Sequence, residues 1–304
     1  MSDFIKQNSS VCKFDNSDSW VILSPIEQSI KNKIEAVGTP LKDWNINIYR
    51  GVLTGYNDAF IISTEKRNEI LANCETEEEK ARTADLIRPI LRGRDIKRYS
   101  YDWKDLWLIY IPWHFPLQSD KSIQGASKKA EQEFQMQYPA VYNHLLQYKK
   151  ELSLRNKAET GIRYEWYAMQ RWGANYSEDF NKPKIVFQEI VQESQFMLDE
   201  NIHFLCNDTC RIITGNHLKY LMAIMNSSLF FFAVKRFYGG GGLGENGVRM
   251  KHTFFINFPC IKPTEYQESK ILKYIDMKNF NSINNEIFNL YNLTNEEKEF
   301  IETQ

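Results

Sequence analysis

The chain has 304 residues, 42% of them hydrophobic and 25% charged, a composition that excludes a disordered chain and fits a globular one. The length suits two average domains, or one large domain with an appendage. The formal net charge of −1 argues against a protein that coats nucleic acid or membrane through bulk positive charge, although charge can still be segregated by face.

Residues 1–14 are polar with no apolar run after them, so no secretory signal is expected. The run Trp20-Val21-Ile22-Leu23 reads as a short strand. Ser24-Pro25 then reads as an N-cap with proline in the first turn, followed by Ile26, Ile30, Ile34 and Val37 at helical spacing. Gly38-Thr39-Pro40 should stop that helix. Residues 44–63 read as two strands around a glycine-bearing turn, with Ala59-Phe60-Ile61-Ile62 as the return strand. An acidic patch (Glu75, Glu77, Glu78, Glu79) precedes a short helix, and Leu106–Pro112 reads as a buried strand.

Residues 127–158 have helical periodicity, with Pro139 separating two helices. Lys184–Val191 and Phe196–Leu198 look like paired strands. Arg211-Ile212-Ile213 is a further strand, with a helix from about Asn216. The longest apolar stretch, Leu218 to Val234, is interrupted by Lys219 and Asn226-Ser227-Ser228. It reads as a buried helix pair, or a helix and a strand, and not as a membrane span. Residues 239–247 (GGGGLGENG) should form a loop, Phe254–Pro259 closes the main body, and residues 265–304 form a helical tail. Strands and helices do not alternate strictly. The expected class is therefore α+β, with mixed or antiparallel sheets and packed helices.

Five cysteines, Cys12, Cys74, Cys206, Cys210 and Cys260, include no C-x-x-C pair. An odd count in a chain this long points to reduced, mostly buried thiols in the cytoplasm. His203, Cys206, Cys210 and His217 match no familiar zinc spacing, and core packing is the preferred reading of the two cysteines.

Charge is unevenly distributed. Residues 265–304 carry eight acids and four lysines, a charge of −4, which leaves +3 for residues 1–264. Residues 88–98 sum to +4 through Arg88, Arg92, Arg94, Lys97 and Arg98 against Asp95. Residues 235–251 sum to +3 through Lys235, Arg236, Arg249 and Lys251 against Glu245. Both clusters adjoin glycines and aromatic residues. Arginine forks suit phosphates or the O6/N7 edge of guanine, and glycines let a backbone approach closely. A solvated basic face is the alternative.

Several chemistries lack their residues in this sequence. There is no Asn/Asp-Pro-Pro-Tyr/Phe tetrapeptide to grip a flipped base, since none of the nine prolines is adjacent to another. No glycine-rich turn suited to a methyltransferase cofactor follows a first strand. Asp102-Trp103-Lys104 supplies one piece of a metal-dependent nuclease motif but reads better as a charged turn before the 106–112 strand. The glycine run Gly239–Gly242 lacks the Lys-Ser/Thr ending of a phosphate loop.

Four segments together resemble a known family. They are Tyr49–Phe60 (YRGVLTGYNDAF), Ile87–Tyr99 (IRPILRGRDIKRY), Lys182–Ile190 (KPKIVFQEI) and Met225–Leu229 (MNSSL), the last with Phe255–Pro259 (FINFP) as its closing piece. The ending Ile287–Glu297 (IFNLYNLTNEE) is similar too, with Asn292 where a helix-ending glycine is common. The chain resembles, over roughly residues 20–300, the TaqI-like C-terminal specificity domain. This is the DNA target-recognition domain of type II restriction–modification enzymes and adenine-specific DNA methyltransferases.

The resemblance implies a junction over residues 1–19, a DNA target-recognition domain over 20–264 and a helical tail over 265–304. The implied partners are double-stranded DNA and a methyltransferase domain or subunit, with no membrane. No cofactor is expected in this chain. S-adenosylmethionine, and Mg if a nuclease is present, would belong to a linked catalytic domain. No catalytic or metal-binding residue is expected here.

The expected DNA-contacting residues are Arg50, Asn57, Arg88, Arg92, Arg94, Lys97, Arg98, Arg171, Lys235, Arg236, Tyr238, Arg249 and Lys251. For several, two readings stay open. Asn57 either presents its side chain to a ligand or serves a structural turn in a left-handed conformation. Asp95 either leaves the arginines around it to phosphates or pairs with one of them. Arg171-Trp172, with the aromatic cluster Tyr164–Tyr167, faces either DNA or the core. Lys235–Tyr238 with Gly239–Gly242 and Arg249–Lys251 is either a base-reading loop on a glycine hinge or a plain surface loop. The rival functions are an autonomous metal-dependent endonuclease using Asp102 and Lys104, and a protein-docking module without direct DNA contact.

Overall fold

A computed structural model of the chain describes residues 23–239, 242–243 and 247–304. The expected junction over 1–19, most of the strand-like run from Trp20, Cys12 and part of the glycine-rich loop lie outside the described residues. The chain divides into two compact units. The larger comprises residues 46–189 and 195–218; the smaller, among the described residues, draws on 23–45, 190–194 and the chain from 219 onward.

The larger unit is built on two four-stranded sheets. The first orders its strands Phe196–Asp199, Lys184–Gln188, Cys210–Gly215 and Ile46–Arg50, all antiparallel. The expected pairing of the segments 184–191 and 196–198 is present, with Phe196 opposite Phe187. Cys210–Gly215 lies inside the sheet and is buried at every position but its last, so its one charged residue needs an internal partner. Arg211 accordingly pairs with Glu189. The second sheet orders Leu205–Cys206, Ile87–Leu91, Leu106–Ile109 and Ile61–Ser63. Its first pair is parallel and the others antiparallel. The class is therefore α+β with mixed and antiparallel sheets, as the sequence pattern implies.

The segment 44–63 departs from the expected hairpin. Ile46–Arg50 pairs with Cys210–Gly215 in the first sheet, whereas Ile61–Ser63 pairs with Leu106–Ile109 in the second. Between them Gly55 turns the chain at φ 79°, and Asn57–Phe60 winds into one helical turn. Adjacent Ala59 and Phe60 are both fully buried, which a strand with one face in the core cannot do. Asn57 is thus helical, and the left-handed residue of this turn is Gly55.

Helices Thr64–Ala72, Glu77–Leu86 and Lys128–Gln137 each start at a hydroxyl cap: Ser63, Thr76 and Ser127 accept a backbone N–H three residues on. Pro139 opens the next helix, Pro139–Leu146, in the first-turn position where its missing N–H costs nothing. Phe60, Ile90, Leu108, Phe134, Tyr167 and Leu205 lie at the centre of the core. Cys206 and Cys210 are buried in the same core. Lys184, fully buried, meets Asp199 at 2.8 Å, and Asp199 also accepts the backbone N–H groups of Ile202, His203 and Phe204. One carboxylate therefore ties a strand end to the loop after it.

The smaller unit is mainly helical. Its first helix, Pro25–Val37, has the expected Ser24 cap, completed into a reciprocal box by Glu27. The apolar stretch 218–234 forms two helices, Leu218–Met225 and Ser228–Arg236, bent by 65° at the break. Among the described residues no single helix is long and apolar enough to cross a membrane. Helices Glu265–Asp276, Phe280–Leu290 and Asn295–Glu302 form as expected over 265–304, and they pack within this unit. Ile271, Ile287, Phe288 and Ile301 are buried, and Glu297 accepts from Ser29 and Lys33 of the first helix. Where the sequence suggests only a loop, Gly242–Leu243 and Gly247–Arg249 pair with each other, and the latter pairs with Ile190–Val191.

Candidate nucleic-acid interface

The first basic cluster belongs to the larger unit. Ile87–Leu91 ends at Arg92, a tight 3-10 turn follows over Gly93–Asp95, and Ile96–Lys97 resumes as a short strand. Asp95, 1% exposed, organises this turn. It accepts the backbone N–H of Arg92 and both ends of the Arg92 guanidinium fork, each at 2.9 Å. Of the two readings of Asp95, the pairing one holds, and Arg92 is a structural clamp. Its geometry is bidentate, the strong form of a charge-assisted pair. Gly93 donates its N–H to Thr209 at 3.1 Å, which fastens the turn to the 207–209 loop.

The neighbouring cations differ in how far they are committed. Arg88 is half-buried and donates to the His203 carbonyl, and burial lowers its pKa. That hydrogen bond ties it to the frame. Arg94 is exposed and makes no side-chain hydrogen bond to another described residue. Lys97 is also exposed and spends one donor on the Arg94 carbonyl at 2.9 Å. Arg98 lies with its guanidinium 5.6 Å from the Tyr99 ring centre. The turn thus holds Arg94 and Lys97 outward on a scaffold fixed by Arg92, Asp95 and Thr209.

A pocket of about 410 Å³ opens in the same unit. Its walls include Arg50, Trp113, Arg171, Trp172, Tyr176 and Asp208. Four chain segments meet there, near residues 50, 113, 172 and 208. Leu53 and Arg171 exchange backbone hydrogen bonds at 2.8 and 2.9 Å, and Val52 donates to the Cys206 carbonyl. Gly51 allows this approach: a Cβ there would lie 1.9 Å from the Asn207 carbonyl oxygen. Arg155 ties the adjoining segments together by donating to the carbonyls of Thr54, Trp166 and Ala168, and its burial lowers its pKa to about 10.

The aromatic walls are similarly pinned. Trp113 donates its indole N–H to the Met169 carbonyl and stacks on Tyr164, with ring centres 4.8 Å apart. Tyr176 stacks on Tyr49 at 4.5 Å, and Tyr110 donates to the Trp172 carbonyl. Arg171 is exposed but bidentate to Glu159, at 2.9 and 3.1 Å, so its charge is offset. Arg50, at the exposed end of an edge strand, makes no side-chain hydrogen bond to another described residue. Asn57 is exposed, and its carbonyl oxygen accepts from the Thr54 hydroxyl at 2.6 Å.

The second basic cluster belongs to the smaller unit, where several of its members are held internally. Lys235 donates to the Gln304 backbone carbonyl and Arg236 to the Gln304 side chain; Arg236 also lies 3.4 Å from Glu27. Tyr238 donates to Glu35, and burial together with that carboxylate raises its pKa. These three bind the end of the Ser228–Arg236 helix to its neighbours. Arg249 is exposed on a strand, and the Lys251 ammonium sits 5.3 Å from the Phe254 ring centre. The expected glycine hinge falls partly outside the described residues.

Sequence reasoning missed Trp113, Tyr176 and Asp208 as pocket walls. A signal was present in two short runs, Tyr49-Arg50-Gly51 and Arg171-Trp172-Gly173, which each join an aromatic residue, an arginine and a glycine. Asp102 and Lys104 pair with each other at 2.5 Å on an exposed turn, as a charged turn would.

No curated protein matches the chain. Among solved structures, the type IIL restriction–modification enzyme MmeI in complex with DNA aligns with a TM-score of 0.55 at 11% identity, covering 88% of this chain and 37% of that one. The type IIG restriction endonuclease BpuSI aligns with a TM-score of 0.52 at 12% identity, covering 91% and 32%. At these identities the likeness is one of fold, and the chain spans about a third of the length of either structure. The family model of the TaqI-like C-terminal specificity domain matches residues 88–241, from the Arg88 strand through the Arg92–Asp95 turn and the Arg171–Tyr176 wall. That match covers half of the sequence, and the chain belongs to the family of TaqI-like C-terminal specificity domains.

Proposed function

We propose that this chain selects the DNA sequence on which a restriction–modification enzyme acts. The observation that supports this most directly is the turn at Gly93–Asp95. It spends Arg92 internally on Asp95 and leaves Arg94 and Lys97 facing solvent on a fixed frame. Cations held at fixed positions can set the register of a phosphate backbone, while loop side chains read base edges. Within the larger unit, Arg50, Arg94 and Lys97 are the foremost contacts and Arg98 and Arg171 the flanking ones. Arg88 and Arg92 hold the frame. In the smaller unit the favoured contacts are Arg249, exposed on its strand, and Lys251, whereas Lys235, Arg236 and Tyr238 hold helices together.

In this reading the chain performs no bond chemistry. A linked domain or subunit transfers a methyl group from S-adenosylmethionine to adenine N6, and an accompanying nuclease would use Mg. The solved structure of MmeI, a restriction–modification enzyme, is a complex with DNA, which is in keeping with DNA as the ligand here. The test is repeated selection of bound duplexes from a randomised pool by the purified chain. Enrichment of one short sequence is the expected result. A bound pool that stays random over successive rounds, or no duplex retained at low salt, would overturn the reading, and the second outcome would favour a protein-docking role.

A further inference from the structure

We propose that the pocket of the larger unit binds a single nucleotide, with the ring against its aromatic walls and the phosphate at Arg50. Its volume of about 410 Å³ falls within the range of small-ligand sites, roughly 300–1,000 Å³. The aromatic walls are set before any ligand arrives. Trp113 is pinned by the Met169 carbonyl and the Tyr164 ring, Tyr176 by Tyr49, and the Trp172 backbone by the Tyr110 hydroxyl. Tyr164 covers one face of Trp113, whose ring centre also has the Arg163 and Arg171 guanidinium groups 5.4 and 5.9 Å away, so the base is assigned to Trp172 and to the face of Tyr176 turned from Tyr49, where stacking needs a π-surface and no particular hydrogen-bond pattern.

The polar groups define the rest of the ligand. Two arginines line the pocket, but Arg171 has its fork in Glu159. Arg50 is therefore the cation available to an anion, and a guanidinium suits a phosphate. Asp208, exposed at the wall, brings carboxylate oxygens that accept hydrogen bonds, which suits a ring edge carrying N–H donors. Gly51 and Gly173 keep the walls thin: Gly51 has no room for a Cβ, and Gly173 turns at φ 81°.

The nucleotide can come from two sources: a free nucleoside monophosphate, or one nucleotide displaced from a nucleic-acid strand. The 207–209 loop connects the pocket to the exposed cations, because Asp208 forms a wall while Thr209 receives the Gly93 N–H beside Arg94. The second source rests on the DNA-recognition reading above; the binding chemistry does not.

The experiment titrates the full chain, followed by tryptophan fluorescence, with the four deoxynucleoside monophosphates, the matching nucleosides and inorganic phosphate. A perfect duplex and the same duplex with one unpaired nucleotide are titrated in parallel. At least one monophosphate should bind saturably and about tenfold or more tighter than its nucleoside or phosphate alone, since ring and phosphate contacts then act together. Arg50→Ala should remove that advantage and Arg50→Lys should retain part of it, both with unchanged circular dichroism because Arg50 is exposed. Tighter binding of the bulged duplex that Arg50→Ala abolishes identifies a displaced nucleotide as the ligand. Monophosphate binding without that preference identifies a free nucleotide. Absence of both, or monophosphate binding indifferent to Arg50→Ala, overturns the proposal. If the perfect duplex still binds in that case, the DNA-recognition reading survives without it.

Discussion

Replacing Arg94 and Arg92 in turn separates a phosphate contact from a structural clamp. The two residues flank a single glycine on one basic turn, yet Arg94 faces solvent while Arg92 is bidentate to a buried carboxylate. Each phosphate neutralised on duplex DNA releases condensed counterions, so the logarithm of affinity falls with the logarithm of salt concentration by about 0.9 per contact. Arg50, Arg94 and Lys97 as contacts of the larger unit give a slope of about −2.7. Arg94→Ala should make that slope shallower by about 0.9, and near 0.1 M salt it should weaken duplex binding about eightfold, or ~1.2 kcal/mol. Arg92→Ala should leave the slope unchanged. Its cost falls on stability, about 2 kcal/mol, because the Asp95 carboxylate loses the stronger of its partners while keeping the Arg92 N–H. Fluorescence anisotropy of a labelled duplex across a salt series gives the slopes, and urea unfolding gives the stabilities. A slope that Arg94→Ala leaves alone, or that Arg92→Ala changes equally, would refute the division of roles.

Lys184→Met should destabilise the larger unit by about 3–5 kcal/mol, since it strands the buried Asp199 carboxylate. Adding Asp199→Asn should recover part of that loss in urea unfolding, and failure to recover any would show that the pair is not what the site needs. Gly51→Ala should cost about 1–3 kcal/mol through overpacking, because the new methyl group meets the Asn207 carbonyl; an unchanged unfolding midpoint would contradict this. Burial raises the pKa of Tyr99 from 10.0 to about 12. The folded state then holds a proton that the unfolded chain has released. The stabilisation is complete below about pH 10 and disappears as pH rises towards about 12, at up to about 1.4 kcal/mol per pH unit. Tyr99→Phe should make the alkaline loss of stability shallower by that amount. Tyr110, Tyr167, Tyr220 and Tyr291, also shifted upward by desolvation, would supply the remaining slope in both proteins.

The sequence by itself determined what depends on near neighbours. Helix starts are legible because a cap is a contact between residues three apart, as at Ser24 with Glu27. The break at Pro139 follows from a missing N–H, and the strands at 184–188 and 210–215 follow from their apolar runs. Family membership was legible in the same way, from short segments that keep their order along the chain. Tertiary structure alone decided which cations are available. Nothing in Arg92-Gly93-Arg94 says that the first arginine is clamped and the second exposed; the buried position of Asp95 decides it. It likewise decided that Ile46–Arg50 and Ile61–Ser63 join different sheets. Their partners, Cys210–Gly215 and Leu106–Ile109, lie far along the chain, and no local pattern encodes the choice between them. The pocket needs residues near 50, 113, 172 and 208 at once, and such a meeting depends on long-range pairing and burial, whose free energies become defined only when the whole unit is assembled.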